Sequence, residues 1–360
     1  MPDPRLSSQR TRLTRQRTAS LARKKYRGAN VKELLATLFL LPLVMLMEAP
    51  AGSAASAPSA NPGATSDTVP VVSLEDLRAF ALTDKSEYVL GEPVFLKLVL
   101  ANWSQKNTFE LQGYLHPAND FEIKVARSRE LPRRFMGGAK KDVLFPGATF
   151  VLRPREVNAM RWTLCYEPDH PSGFLFSQAG LYTIACQARV TINQTPRVLT
   201  LPEFQIEIKE PTAEQKRAVD RIMRPDCADD LQRMQAKDET AKIWQEMTDE
   251  FPKSPWAPYA KLLLARRALE SGKSDYAAMF KQFEAIARAH PDFVLLDDVY
   301  YFCASCQDRL GQPFEALRWL YRIQREFPVS PYVQASNRLF RKYIYSAGWE
   351  QRYAPWYLRE

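Results

Sequence analysis

Residues 303–306 read Cys-Ala-Ser-Cys, the one place in the chain where two of its five cysteines stand at the spacing of a redox pair or of half a zinc site. Redox chemistry needs the first thiol at a helix N-terminus after a strand, where the dipole lowers its pKa. Here Tyr300, Tyr301 and Phe302 precede the pair inside an apolar-periodic stretch, so Cys303 is expected in a core with Cys306 sharing its face. Zinc would need two further ligands, and the chain has neither a second C-x-x-C nor an H-x-x-x-H; Cys227 is isolated. The three histidines, His116, His170 and His290, each precede a proline. Motifs for an activated serine, a metalloprotease, a phosphate loop or a dinucleotide fold are missing. The acidic pairs Asp229/Asp230 and Asp297/Asp298 are expected as helix N-terminal charges, each stabilised by about 0.3–1 kcal/mol. The expectation is a non-enzymatic protein with no catalytic residue, no cofactor and no metal.

The chain holds 50 Lys and Arg against 41 Asp and Glu, a net charge of +9. Ten of the basic residues fall at or before Lys32, and only Asp3, Glu33 and Glu48 are acidic before Ala51. The rest is nearly balanced, with 40 basic (50 less 10) and 38 acidic (41 less 3) groups. The basic excess therefore belongs to a leader, and no nucleic-acid partner is implied. That leader joins a basic region, an apolar run Leu34–Met47 and the small residues 49–55, the three parts of an export signal. Fourteen apolar residues fall short of the ~20 needed to span a bilayer. The leader, residues 1–57, is read as either a cleaved signal or an uncleaved signal anchor at 34–47. Either way the remainder is placed outside the cytoplasm, in the periplasm or extracellular space, with the inner membrane touched only through that anchor. Residues 58–70, of Ala, Ser, Pro and Gly type, read as a linker.

From residue 71 to 210 the apolar period is two. In Val94–Leu100 the even positions are apolar while Lys97 points away, and Phe204–Ile208 alternates strictly. Turn signals at Leu90-Gly91-Glu92-Pro93, Phe145-Pro146-Gly147 and Ser177–Gly180 separate seven to nine short strands, the pattern of an antiparallel sandwich. Tyr88-x-x-Gly91-Glu92-x-Val94 with Asn102-Trp103-Ser104, and Gly180-x-Tyr182-x-Ile184, resemble immunoglobulin-like domains of bacterial exported proteins. The resemblance extends weakly to a proteinase-inhibitor type through Phe121-Glu122-Ile123 and Pro146-Gly147. Strand parity sets Cys186 in the core and Cys165 on the opposite face, at a rim, so a disulfide between them is disfavoured. Asn102-Trp103-Ser104 and Asn193-Gln194-Thr195 match glycosylation acceptors, which matter only on a eukaryotic secretory route. The stretch 125–142 is basic and is read as a solvated surface loop.

Past Pro211 the period lengthens. Ala213–Met223 is expected as a helix ended by Pro225, and Glu239–Glu250 as a second with Ile243 and Met247 on one face. Phe251-Pro252-Lys253-Ser254-Pro255 returns as Phe327-Pro328-Val329-Ser330-Pro331, with His290-Pro291 between, the prolines 39 and 37 residues apart. Trp256-x2-Tyr259-Ala260-x2-Leu263, Tyr300-x2-Cys303-Ala304-x2-Gln307 and Tyr332-x2-Ala335-Ser336-x2-Leu339 resemble the first helices of tetratricopeptide repeats, with Gly311 and Ala316 at their turn and second helix. Gln307 departs from the aromatic of that pattern. The resemblance implies about three repeats between Glu239 and Tyr345, capped by the segment with Trp349, Tyr353, Trp356 and Tyr357. It further implies a groove on the inner face that binds a protein or peptide partner through Lys261, Tyr301, Ser305, Asp308 and Asn337.

The fold class expected is therefore multidomain, an immunoglobulin-like antiparallel β-sandwich (71–210) followed by a tetratricopeptide-like α-helical array (211–360). The expected function is a non-catalytic, exported interaction scaffold of the cell envelope. Two alternatives stand beside it: an extracellular proteinase inhibitor acting through the sandwich, and an enzyme without a recognisable motif. No small-molecule substrate is evident.

Overall fold

Val94–Asn102 is apolar on both of its faces, which a strand with one side in water would not be. In the computed structural model every residue of this strand, β3, is buried except Lys97. The structure describes residues 76–113, 115–117, 119–128, 130–136, 149–270, 275–337 and 339. The leader, its apolar run, the linker, residues 137–148 with Lys140, Lys141 and Pro146-Gly147, and the terminal segment with Trp349, Tyr353, Trp356 and Tyr357 lie outside the described residues.

The described residues fall in one compact unit, a β region followed by a helical array. The strands are β1 Leu77–Thr83, β2 Glu87–Val89, β3, β4 Phe109–Gln112, β5 Phe121–Arg127, β6 Arg133–Phe135, β7 Thr149–Leu152, β8 Val157–Leu164, β9 Gly180–Ile192, β10 Thr195–Thr200 and β11 Phe204–Lys209. A three-stranded antiparallel sheet has β3 in the middle, with Leu98 opposite Ala81 on β1 and Met160 on β8. The larger sheet is organised by β9, whose even positions Tyr182, Ile184, Cys186, Ala188, Val190 and Ile192 are all buried. It pairs with β11 and β10 along one edge and with β5 and β4 along the other, while β2 adds in parallel to β11. The β9–β10 hairpin turns on Asn193 and Gln194, both with positive φ (47° and 65°). That geometry matches the right-handed strand twist.

The even residues of β3 and β9 meet in one core with Phe109, Phe121 and Ile206. The odd face of the small sheet belongs to a different core. Phe95 and Cys165 are buried together with Trp244, Trp256, Tyr259, Leu263 and Cys227 of the helices. The three-stranded sheet is thus covered on both sides, and this overturns the rim position expected for Cys165, which is only 2% exposed. Parity did separate the two thiols: Cys165 and Cys186 lie in different cores, and all five cysteines are free.

The helices are α1 Ala213–Ile222, α2 Pro225–Arg233, α3 Ala241–Glu250, α4 Ala257–Glu270, α5 Tyr276–Ala289, α6 Leu296–Arg309 and α7 Pro313–Glu326, followed by a helical turn at 332–337. Their starts are written locally. Thr212 and Gln215 form a capping box on α1, Asp275 accepts from the amides of Ala277 and Ala278, and Pro225 and Pro313 occupy first-turn positions. Small residues sit where helices crowd, with Ala260, Ala304, Ala316 and Ser336 all at most 2% exposed. Among the described residues no helix is long and apolar enough to cross a membrane.

Candidate functional site

Asp297 and Asp298 open α6, where two carboxylates complement the helix dipole as expected. They are also almost completely buried, and burial of two anions requires a cation. Arg161, on the odd face of β8, supplies it. Its Nη1 lies 3.0 Å from Asp297 Oδ1 and its Nη2 pairs with Asp298. Ser330 donates to Asp297 at 2.7 Å and the Tyr332 hydroxyl to Asp298 at 2.7 Å. Burial opposes the charge of Arg161, but the two carboxylates outweigh it and hold the guanidinium more firmly protonated. Burial also works against Asp297, yet Arg161 and Lys97 carry its carboxyl below the usual range. At Asp298 burial, aided by repulsion from Asp297, prevails and the carboxyl is raised.

This cluster fixes the register between sheet and array, and a second one does so at the other end of the joint. Tyr88 donates to Asp84 at 2.8 Å, Glu92 accepts from the Val89 amide at 3.1 Å and pairs with Lys85, and Tyr259 of α4 reaches Glu92 at 3.4 Å. Gly91 adopts φ +83°, and a Cβ there would come within 3.2 Å of Met223 Sδ. The Tyr88-x-x-Gly91-Glu92 signature therefore builds both a turn and a docking surface for α1 and α4. Burial pushes the Asp84 carboxyl up to about 6. The joint continues where Gln232 Oε1 of α2 accepts from the amides of Cys165 and Tyr166. Beside it Gly173 lies so near Pro225 that a Cβ would meet its Cα at 2.4 Å.

Tyr301, Ser305 and Asp308 follow Asp297 at helical spacing on one face of α6 and are half-buried. Tyr301 stacks on Tyr332, with ring centroids 4.3 Å apart. Asn337 is exposed, and its Oδ1 accepts from Gln324 of α7 at 2.8 Å. Lys261, half-buried on α4, stands with its Nζ 3.3 Å from His290 Nε2. The first turn of this α6 face is thus occupied by the chain's own sheet, through Arg161, and the following turns carry the three α6 candidates.

Other singled-out residues have structural work. Cys303 and Cys306 are both fully buried on α6. Asp229 and Asp230 do not open a helix, contrary to expectation, because α2 begins four residues earlier at Pro225. Asp229 bridges Arg233 and Lys237, whereas Asp230 accepts from Thr240 and from Trp244 Nε1 at 2.7 Å. Asn102 is 2% exposed, with Nδ2 reaching the carbonyls of Asn107, Leu152 and Arg153, so its glycosylation match is a buried loop clasp. Arg161 escaped the sequence reading because parity assigned its face to solvent. Phe95 and Val99 on the same face of β3, and Cys165 beyond it, were the available signal.

Concavities among the described residues of the β region include one of about 80 Å³, bordered by Arg127, Glu130, Arg133, Glu167, His170 and Tyr182. Another is a shallow depression of about 410 Å³ beside the β9–β10 hairpin, at Arg189, Arg197 and Val198. Among the described residues no group of three or more His, Cys, Asp or Glu is placed to hold a metal ion.

No protein-family model and no curated protein matches this chain. Solved structures resemble it over part of its length. An alkylpurine DNA glycosylase of Pseudomonas fluorescens, bound to DNA with an abasic-site analog, is 11% identical over 37% of this chain and 30% of its own, with TM-score 0.22. A β-glucosidase of Erythrobacter marinus is 12% identical over 37% and 15%, with TM-score 0.22. The CARDB domain of a Pyrococcus furiosus protein, in complex with di-metal ions, is 13% identical over 37% and 92%, with TM-score 0.19. The chain spans under a third of the first two proteins, and at such scores none of these likenesses transfers an activity.

Proposed function

We propose that this chain is a non-catalytic, exported scaffold of the cell envelope, which holds a peptide or partner protein on the inner face of its helical array and uses the two-sheet region as the mount. The observation that carries the reading is the state of one face of α6. Its first turn is locked by Arg161, Ser330 and Tyr332, while Tyr301, Ser305 and Asp308 on the next turns stay half-exposed. A face held rigid before binding loses little entropy on capture. The finer fold reading has two supports. The Tyr182 hydroxyl bonds back to the Gln178 carbonyl at 2.9 Å, in the manner of the tyrosine corner of immunoglobulin-like sandwiches. The buried small residues Ala260, Ala304, Ala316 and Ser336 stand at the close-approach positions of tetratricopeptide-like helix pairs.

Capture from envelope extract, with the wild-type chain and a Ser305→Arg, Asp308→Lys variant in parallel, tests the proposal. A partner held by the wild type and lost by a variant of unchanged thermal stability is the expected result, and a photo-crosslinker at position 305 would join that partner covalently. Equal recovery by both chains would remove this face from consideration.

A further inference from the structure

The 80 Å³ concavity lies between the end of β5, the short strand β6 and the 165–178 segment, and none of its lining residues belongs to the helical array. Its charges are not all spent on each other. Arg127 pairs with Glu130 at 3.0 Å and also meets Gln178, so those two charges cancel. Arg133 has no hydrogen-bond or ion-pair partner among the described residues. Glu167 receives the Asp169 amide and is attracted by Arg133, but burial outweighs both and raises its carboxyl above the ordinary value. His170 uses Nδ1 on Ser172, with Oγ at 2.8 Å and the amide at 3.2 Å, which leaves Nε2 unengaged among the described residues. A cation and a carboxyl that attract each other without forming an ion pair, and a ring nitrogen unengaged among the described residues, therefore border the same small space.

A simple anion would be attracted by Arg133 and repelled by Glu167, and a simple cation the reverse. A ligand carrying both charges satisfies both walls. We infer that this pocket binds the head group of a free α-amino acid, its carboxylate on Arg133 and His170 Nε2 and its ammonium on Glu167. The space is equivalent to roughly three water molecules, enough for the head group, with the amino-acid side chain left at the open mouth.

The test uses the full chain with glycine, alanine and serine as probes, and acetate and methylamine as single-charge controls, in ligand-observed NMR titrations. The expected result is saturable binding in the millimolar range or tighter for the zwitterions, and at least about tenfold weaker binding of both controls. Arg133→Gln and Glu167→Gln, both at the rim of the fold, should each weaken glycine about tenfold without moving the melting temperature. Three results would overturn the inference: no zwitterion bound at about 10 mM, acetate bound as well as glycine, or either variant binding as the wild type does.

Discussion

Arg161→Met keeps the apolar stem of the side chain and removes the cation between Asp297 and Asp298. At contact distance of 3.0 Å, and with an effective dielectric near 20, one such pair gains about 5 kcal/mol of Coulomb energy. Part of that is consumed by desolvating a guanidinium that is only 9% exposed. Removing it leaves two carboxylates buried, with Ser330 and Tyr332 as their remaining side-chain donors. The expected loss is about 3–5 kcal/mol at pH 7. Without the cation both folded-state pKa values rise above the unfolded value, so each carboxyl then binds its proton more tightly in the folded chain. The destabilisation should accordingly shrink as pH falls from 8 to 5, and adding Asp297→Asn and Asp298→Asn to the Arg161→Met variant should recover most of it. Urea unfolding followed by tryptophan fluorescence, at both pH values, measures all of this. A loss below about 1 kcal/mol, or one that does not change with pH, would refute the assignment of Arg161 as the lock of the joint.

Three further outcomes follow from the same packing. Because the Asp84 carboxyl is raised to about 6 in the fold, its contribution is fully present below the unfolded pKa and is lost as pH rises through 6; stability should increase from pH 8 to pH 5. Asp84→Asn keeps an acceptor for Tyr88 and should flatten that slope by about 1.4 kcal/mol between those two pH values in urea titrations. Gly173→Ala places a Cβ at 2.4 Å from the Pro225 Cα at φ +72°, and a loss of about 2 kcal/mol or more is expected in thermal melts. Burial pushes the thiols of Cys186 and Cys227 up to about 12 and that of Cys306 up to about 11. All five cysteines should therefore resist alkylation at pH 8 until the chain is unfolded, with the count of modified thiols read by mass spectrometry.

Among the described residues the sequence by itself located several elements but not all: Val125–Arg127 and Arg133–Phe135, read as part of a surface loop, are the end of β5 and the whole of β6. Period-two alternation located β3, β9 and β11, and proline and glycine punctuation bounded α1, α3, α6 and α7, because pleat, helical pitch and φ restriction act within a few residues. It also separated Cys165 from Cys186, since side-chain parity is a local property of a strand. The shared interface was decided only by the tertiary structure. Alternation says which residues oppose each other on a strand, but not whether the second face meets water or another layer. Cys165 is therefore expected at a rim, while the fold buries it together with Phe95, on the face that also carries Arg161, beneath α2, α4 and α6. The candidate site divides in the same way. The register of Tyr301, Ser305 and Asp308 along α6 is written in the chain, whereas the closing of the turn before them joins residues 136 positions apart, Arg161 and Asp297. The charges of Arg133 and Glu167 likewise share a pocket only because long-range strand pairing brings β6 and the 165–178 segment together, a cooperative property of packing that no local pattern encodes.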